Sequence, residues 1–445
     1  MKVRSLLLLV ALASPACAVR PAAQAPAPVT GDSLSRSEME ALSAVYLQAG
    51  EALGKGDLSA AASSLTRALE LNPGDESLVY DIAATLAQAG RAEESLSWLE
   101  KLVAMHSNLV PQARDFPGLQ GERYQRIVES LQRNTPAPRG TEAFTLSERD
   151  LIPEGIAHDP LTRTFFVSSI HKRKIVAVRP DGSPSDFATS EAQLDSVLGM
   201  RVDPARRILW ANSYASPSMQ GFNESLRGRS TLHAFDLATG RQVARFVRGP
   251  GGRHLLNDLA IRPDGDVFLT DSETGEVLKL CIHTLLTEPS FEVLVPPGQL
   301  FHPNGITLSD DGKTLFVADF VNGITVLRLD SDERFTLPHP RGVSTHGLDG
   351  LYFHQGGLVG VHNGNGPGRI VRYVLSDSLD RIVRMEVLES NHPSFDIPTT
   401  GVLVGDALYV IANSQLRGLG ADGKYLPAEQ LKPVSILRLS VARGN

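Results

Sequence analysis

Six times between residues 154 and 402 the chain repeats one short pattern: a polar or small residue, then Gly or a turn-competent equivalent, then an apolar residue that opens a strand. The openings are Glu154-Gly155-Ile156, Leu198-Gly199-Met200, Asn257-Asp258-Leu259, Asn304-Gly305-Ile306, Asp349-Gly350-Leu351 and Thr400-Gly401-Val402, at intervals of 44, 59, 47, 45 and 51 residues. Tight turns follow at Asp159-Pro160, Asp203-Pro204, Asp264-Gly265 and Asp311-Gly312, and second apolar strands at 164–167, 208–211, 267–270, 314–318 and 358–361. A repeat of this length holds about four strands, and six such sheets bury their faces against one another when arranged radially, which predicts an all-β six-bladed propeller. Residues 144–146 are placed to add the outer strand of the last blade and so remove two open sheet edges.

Ahead of the propeller the hydrophobic period is helical. Between residues 35 and 134 a 34-residue interval relates Ala49 to Ala83, Gly56 to Gly90 and Leu65 to Leu99. Small residues where helices touch, Gly at the turn, Ala61 and Ala68 on the second helix and Pro73 at the end resemble tetratricopeptide repeats. The second copy is looser, with Ser95, Leu102 and Ser107 at the positions of Ala61, Ala68 and Pro73. Two repeats fall short of the roughly three that bury a stable core, so residues 121–133 are expected to form a capping helix. The region is read as a helical spacer, with a protein-binding groove as the alternative, because no cluster of Lys, Arg or Asn lines one helical face.

The expected organisation is therefore multidomain: an export signal at 1–18, a Pro/Ala-rich linker at 19–34, tetratricopeptide-like helices at 35–134, a linker at 135–142 and the propeller at 143–445. Lys2 and Arg4 precede an apolar run at 6–13, with small residues at Ser14, Ala16 and Ala18, the pattern of a secretory signal. The expectation is a periplasmic or extracellular protein, either freely soluble or anchored as a lipoprotein through Cys17. No stretch reaches the roughly 20 apolar residues of a transmembrane segment. With 43 Lys+Arg against 50 Asp+Glu and a net charge of −7, there is no basic stripe for nucleic acid. Two cysteines support neither a zinc cluster nor a disulfide framework, and the serine-hydrolase, zinc-peptidase and nucleotide-binding motifs are absent.

In a propeller each opening residue starts an innermost strand, so Glu154, Leu198, Asn257, Asn304, Asp349 and Thr400 converge on one end of the tunnel. Asn or Asp before Gly is an ordinary turn residue. Four metal-competent oxygens in one register are a stronger signal, because crowded carboxylates are costly without a cation. Hard oxygen donors suit a divalent metal ion, most simply Ca²⁺.

These residues carry a resemblance. Residues 144–441 are similar to the regucalcin and gluconolactonase family of calcium-dependent lactonases, whose propeller is shared more distantly with paraoxonases and strictosidine synthases. The resemblance implies metal ligands at Glu154 in Pro153-Glu154-Gly155, Asn304 in Pro303-Asn304-Gly305 and Asp349 in Asp349-Gly350-Leu351, with Asn257 at a further metal or substrate position. It also implies a small-molecule lactone or ester as substrate. Leu255 stands where sugar-lactone members carry an Arg, which favours an apolar substrate over a polyhydroxylated one. His254, His302 and His346 each precede a ring residue. His302, His346 and Asp349 are candidate bases for activating water, and His254, Tyr214 and His362 are candidate substrate contacts with Asn257. The bland reading of each His is a loop hydrogen bond or a supporting role. The connections after each second strand, notably 212–230 and 413–433, are expected to wall the site, with His171 a further rim residue. A non-catalytic binding propeller braced by a structural ion is the alternative function.

Overall fold

The computed structural model describes residues 32–248, 253–281, 291–331, 333–364, 366–418 and 425–443. The export signal, Cys17 and most of the first linker lie outside these residues. The chain divides into two compact units. The first holds the described residues through Arg139 with Thr336–Thr345 and Asn363–Pro393; the second holds Gly140–Phe335, His346–His362 and the described residues from Ser394 onward.

Among the described residues of the N-terminal region there are five helices: α1 (Arg36–Lys55), α2 (Leu58–Leu71), α3 (Glu76–Gln88), α4 (Ala92–Ala104) and α5 (Glu122–Arg133). Their ends are written locally. Ser35 and Glu38 form a reciprocal capping box at α1, Asp57 and Asp75 cap α2 and α3, and Gly56 and Gly90 adopt φ of 76° and 74° at the two matching turns, conformations that cost a residue with a Cβ. Ala49, Ala83, Leu65 and Leu99 are buried. The looser second copy has a physical basis: Ser95, buried on α4, donates its hydroxyl to the Ala83 carbonyl on α3 at 2.7 Å, so a small polar side chain does the work of an alanine without leaving an unpaired group. No helix among the described residues is long and apolar enough to cross a membrane.

The remaining chain forms six four-stranded sheets. After β1 (Thr141–Leu146), blade one is β2 (Ile156–Asp159), β3 (Thr164–Ser169), β4 (Lys174–Val178) and β5 (Pro184–Ala188). Blade two is β6 (Ser196–Asp203), β7 (Ile208–Tyr214), β8 (Ser230–Asp236) and β9 (Gln242–Arg248); blade three is β10 (Leu256–Ile261), β11 (Val267–Asp271), β12 (Glu276–Leu280) and β13 (Phe291–Val295). Blade four is β14 (Pro303–Leu308), β15 (Thr314–Asp319), β16 (Gly323–Arg328) and β17 (Arg334–Thr336); blade five is β18 (Leu348–His354), β19 (Gly357–His362), β20 (Arg369–Leu375) and β21 (Ile382–Ser390). Blade six combines β22 (Gly401–Val404), β23 (Ala407–Ile411) and β24 (Val434–Ser440) with β1, in the order β1-β24-β23-β22. Phe144 faces Ile436 and Leu146 faces Val434 across that closing pair, so the expected outer strand is present and begins at Thr141. Apolar side chains fill the wedges between blades, as where Phe166 and Ile175 of blade one pack with Met200 and Leu209 of blade two. That burial, at roughly 25 cal/mol per Å² of apolar surface, is the main force holding neighbouring sheets together.

β7 extends to Tyr214, so the long connection expected at 212–230 shortens to 215–229. It is tied to the rim: the Gln220 amide donates to the His171 carbonyl at 2.9 Å, and His171 Nδ1 lies 2.8 Å from the Ser218 carbonyl oxygen.

Candidate functional site

The openings meet because the second residue of several units has no side chain. A Cβ at Gly155 would lie 2.0 Å from the Leu198 carbonyl oxygen, one at Gly199 2.6 Å from the Asn257 carbonyl oxygen, and one at Gly305 2.4 Å from the Asp349 carbonyl oxygen. Each innermost strand is thus pressed against the opening residue of the next blade. The ring closes through hydroxyls and amides: Asn212 Nδ2 donates to the Asn257 carbonyl at 3.1 Å, Thr270 Oγ1 to the Asn304 carbonyl at 2.7 Å and Thr400 Oγ1 to the Glu154 carbonyl at 2.5 Å. The backbone carbonyls of Glu154, Asn257 and Asn304 are thus already used, which leaves their side-chain oxygens for other partners.

Glu154, Asn257, Asn304 and Asp349 are each 6–7% exposed. Glu154 Oε2, Asn257 Oδ1 and Asn304 Oδ1 are buried without a hydrogen-bond partner among the described residues, a costly arrangement for atoms that accept strongly. Asn257 is oriented: its Nδ2 donates to Ser272 Oγ at 2.9 Å, and that hydroxyl donates to the Pro303 carbonyl at 2.6 Å. Burial pushes the Glu154 carboxyl well above its ordinary range, and the charges of Asp349 and then Asp258 add to the effect while Arg201 opposes it. Glu154, Asp258 and Asp349 thus bring three carboxylates close together, of which Asp258 is paired with Arg201. The set of anionic and carbonyl oxygens therefore fits a hard divalent cation on the chemistry of its donors.

One to three residues further along the inner strands stands a group built on Arg201 and Tyr352, which no sequence motif singles out. Arg201 Nη2 lies 2.9 Å from Asp258 Oδ2, its guanidinium sits 5.6 Å from the Tyr352 ring centroid, and the Gly401 amide donates to Tyr352 Oη at 2.5 Å. The only cue was a charge in the middle of the apolar strand Ser196–Asp203. Leu198 departs from the oxygen ring, packing with Ile152, Ile170 and Leu431 and, beside them, Tyr214, Leu255, Leu416, Tyr425 and Leu426.

The other expected residues take several places. Tyr214 ends β7 opposite Ser196; burial raises its hydroxyl pKa and the charge of Glu154 adds to the shift, so the phenol and the ring carboxylate share one electrostatic environment. His302 is held at φ 64° with its ring edge-on to Phe320 at 6.2 Å, and burial lowers its pKa, keeping the imidazole neutral. His346 and His362 are both buried; His362 pairs in register with Leu348, the residue before Asp349. His254 is engaged by Asp271, whose Oδ2 lies 2.7 Å from Nδ1. Asp271 also accepts from the Leu255 amide at 2.9 Å, so it fixes the chain entering Asn257 as well as the imidazole.

His254, Asp271 and Glu276 offer ligand atoms within 4.8 Å of one another, a second grouping with metal-binding character. Arg248 reaches into it, 2.5 Å from Glu276 Oε2 and 3.9 Å from Asp271 Oδ2. That cation pairs closely with Glu276 and only distantly with Asp271, whose carboxylate is also engaged by His254. A surface recess elsewhere, lined by Glu292, Leu294, Leu327 and Arg334, contains no ring residue.

Comparison with known proteins follows the same division of the chain. Residues 152–396, more than half of it, match the SMP-30/gluconolactonase/LRE-like region, and residues 52–115 match a tetratricopeptide repeat. No curated protein matches. Similar solved structures include a gluconolactonase from Xanthomonas campestris, 18% identical over 68% of this chain and 94% of that one with a TM-score of 0.46. Regucalcin, a calcium-binding protein from Agrobacterium tumefaciens, is 17% identical over 67% and 95% with a TM-score of 0.44. Virginiamycin B lyase from Staphylococcus aureus is 12% identical over 69% and 100% with a TM-score of 0.43. The chain belongs to the SMP-30/gluconolactonase/LRE-like family, and it carries a tetratricopeptide repeat region ahead of the propeller.

Proposed function

We propose that the protein is a divalent-metal-dependent hydrolase of a lactone or related ester, with Ca²⁺ the ion best suited to its donors. The observation that supports this most is the ring itself: three buried oxygens without a hydrogen-bond partner among the described residues, with the carboxylates of Asp349 and Asp258 near enough to raise the Glu154 pKa. Glu154, Asn304 and Asp349 would hold the ion, with Asn257 contributing its oriented carbonyl oxygen to the ion or to substrate. A bound cation would supply Lewis-acid polarisation of a carbonyl oxygen.

The remaining chemistry belongs to the chain. A neutral His302 is able to accept a proton from water at neutral pH, as is Asp349 when it is not fully engaged. Tyr214, Leu255 and Tyr425 favour an apolar substrate by presenting rings and aliphatic groups where a sugar would need donors. Export is part of the proposal, supported by Lys2, Arg4 and the apolar run at 6–13; the N-terminal residue of protein recovered from cell fractions tests it and separates cleavage after Ala18 from lipidation at Cys17.

The decisive measurement is metal content of the purified protein together with turnover on a panel of apolar and polyhydroxylated lactones and esters, before and after chelation and in Asn304→Ala. Chelator-sensitive hydrolysis of apolar substrates, lost in Asn304→Ala, is the expected result. Full metal occupancy with no turnover on any substrate would remove the enzyme reading, and no metal binding in the wild type would remove the site.

A further inference from the structure

The turn between the two helical repeats, Asn72-Pro73-Gly74-Asp75, grips a segment of its own chain. Asn72 is fully buried. Its Nδ2 donates to the Val343 carbonyl at 2.9 Å and to Asp75 Oδ2 at 3.1 Å, and its Oδ1 accepts from the Gly342 amide at 2.7 Å. A side-chain amide satisfied on both ends by one stretch of backbone is how an asparagine holds an extended peptide. Gly74 and Gly342 meet back to back: both have positive φ, and a Cβ on Gly342 would lie 3.2 Å from the Gly74 carbonyl oxygen. Around them Arg341 Nη1 donates to the Leu71 carbonyl at 2.8 Å, Arg341 pairs with Glu38 at 2.5 Å, and the Leu34 amide donates to the His339 carbonyl at 2.8 Å. From its other side the same segment is held by Tyr373 Oη on the Ser344 carbonyl at 2.7 Å and by the Ile382 amide on the Pro338 carbonyl at 2.8 Å.

All these residues belong to the first unit, which in this stretch ends at Thr345; His346 begins the second. The chain therefore runs from the Asn72 grip at Val343 into His346 after three residues and into Asp349 after six. We infer that the inter-repeat turn is a positioning element for the candidate site, with Asn72 as its central residue, and that this recognition surface is spent on residues 339–343 of the same chain instead of a separate peptide. Fixing the backbone at 342–343 restricts the conformations open to His346–Asp349, so the helical repeats bear on the geometry of one ring carboxylate through the connecting chain. The inference draws on the cation-site reading only for one of its two readouts.

The test uses the full chain and its Asn72→Ala and Gly342→Ala variants, comparing hydrogen exchange of backbone amides at 346–351 with Ca²⁺ affinity measured by calorimetry. Exchange at 346–351 is expected to rise roughly tenfold, the scale of one lost buried hydrogen bond, with Ca²⁺ binding weakened by a similar factor and the circular dichroism of the propeller retained. Faster exchange confined to 32–34 and 339–343, with 346–351 unchanged, would overturn the inference. If the wild type binds no Ca²⁺ while exchange at 346–351 still rises, the positioning role stands and the cation-site reading fails. Should either variant not fold, Arg341→Ala removes the partly exposed arm of the same grip and is judged by the same amides.

Discussion

A carboxyl group buried beside two others weakens a folded protein unless something positive joins it, and Glu154 is in that position. Its raised pKa means that, without a cation, its contribution to stability is fully present below the ordinary value of 4.5 and is lost as pH rises through the shifted value. Metal-free protein should therefore melt at a lower temperature near neutral pH than at mildly acidic pH, and added Ca²⁺ should restore the difference. Glu154→Gln should flatten that pH dependence, raise the melting temperature of metal-free protein at pH 7 and weaken Ca²⁺ binding by about tenfold or more. Thermal scans from pH 4.5 to 8 with and without chelator check all three; an unchanged pH profile in the variant would show that Glu154 does not carry the burden. Glu154, Asn304 and Asp349 were legible in sequence because each precedes Gly at the same point of a recurring unit. Arg201 and Tyr352 were not, since their partners sit in other blades, 57 residues away for Arg201 with Asp258 and 49 for Tyr352 with Gly401, and no local pattern records such pairings.

Between elements, the contacts that hold blades in register are backbone approaches and turn-to-turn ion pairs. Gly155→Ala would drive a methyl group into the Leu198 carbonyl and should cost more than about 3 kcal/mol, at the far end of single-substitution effects. Gly50→Ala in α1, where nothing lies within 4 Å, should stabilise by about 0.5–1 kcal/mol. Urea unfolding of the two variants reports both, and equal midpoints would contradict the packing argument. The β2–β3 and β6–β7 turns are joined by a two-pronged pair, Arg207 to Asp159 at 2.5 and 2.7 Å, which holds the Asp159 carboxyl well below its ordinary range. Its contribution is present above the ordinary value of 3.8 and lost as pH falls through the depressed one. Asp159→Asn should thus cost about 1–3 kcal/mol at pH 7, with the gap to wild type closing in acid. The strands and the glycine turns between helices were readable because their period and turn residues are local. The end of β7 at Tyr214 was not, because an Asn-Ser-Tyr run has turn-like composition and only the pairing of Tyr214 with Ser196 on β6 and Ser230 on β8 makes it strand.

At the scale of the molecule, ring closure depends on strands from distant parts of the sequence, β1 beside β24. Deleting residues 434–443 should leave β1 without a partner and expose sheet edges, so soluble yield should fall sharply and the cooperative thermal transition should broaden; a sharp, wild-type-like transition would mean that five blades and a fragment suffice. The arrangement of helices before propeller was legible from a change of period near residue 140. The union of Thr336–Thr345 and Asn363–Pro393 with the helices was not, since Asn72 and Gly342 announce no partnership across 270 residues. That separation also sets a clock. At ribosomal speeds of about 5–20 residues per second, roughly 15–50 s pass between synthesis of Asn72 and of Gly342. During that interval the nascent repeats expose an unfilled amide and a glycine-edged notch shaped for a strand of backbone, so any foreign extended chain competes for a seat that the protein's own polypeptide has yet to reach.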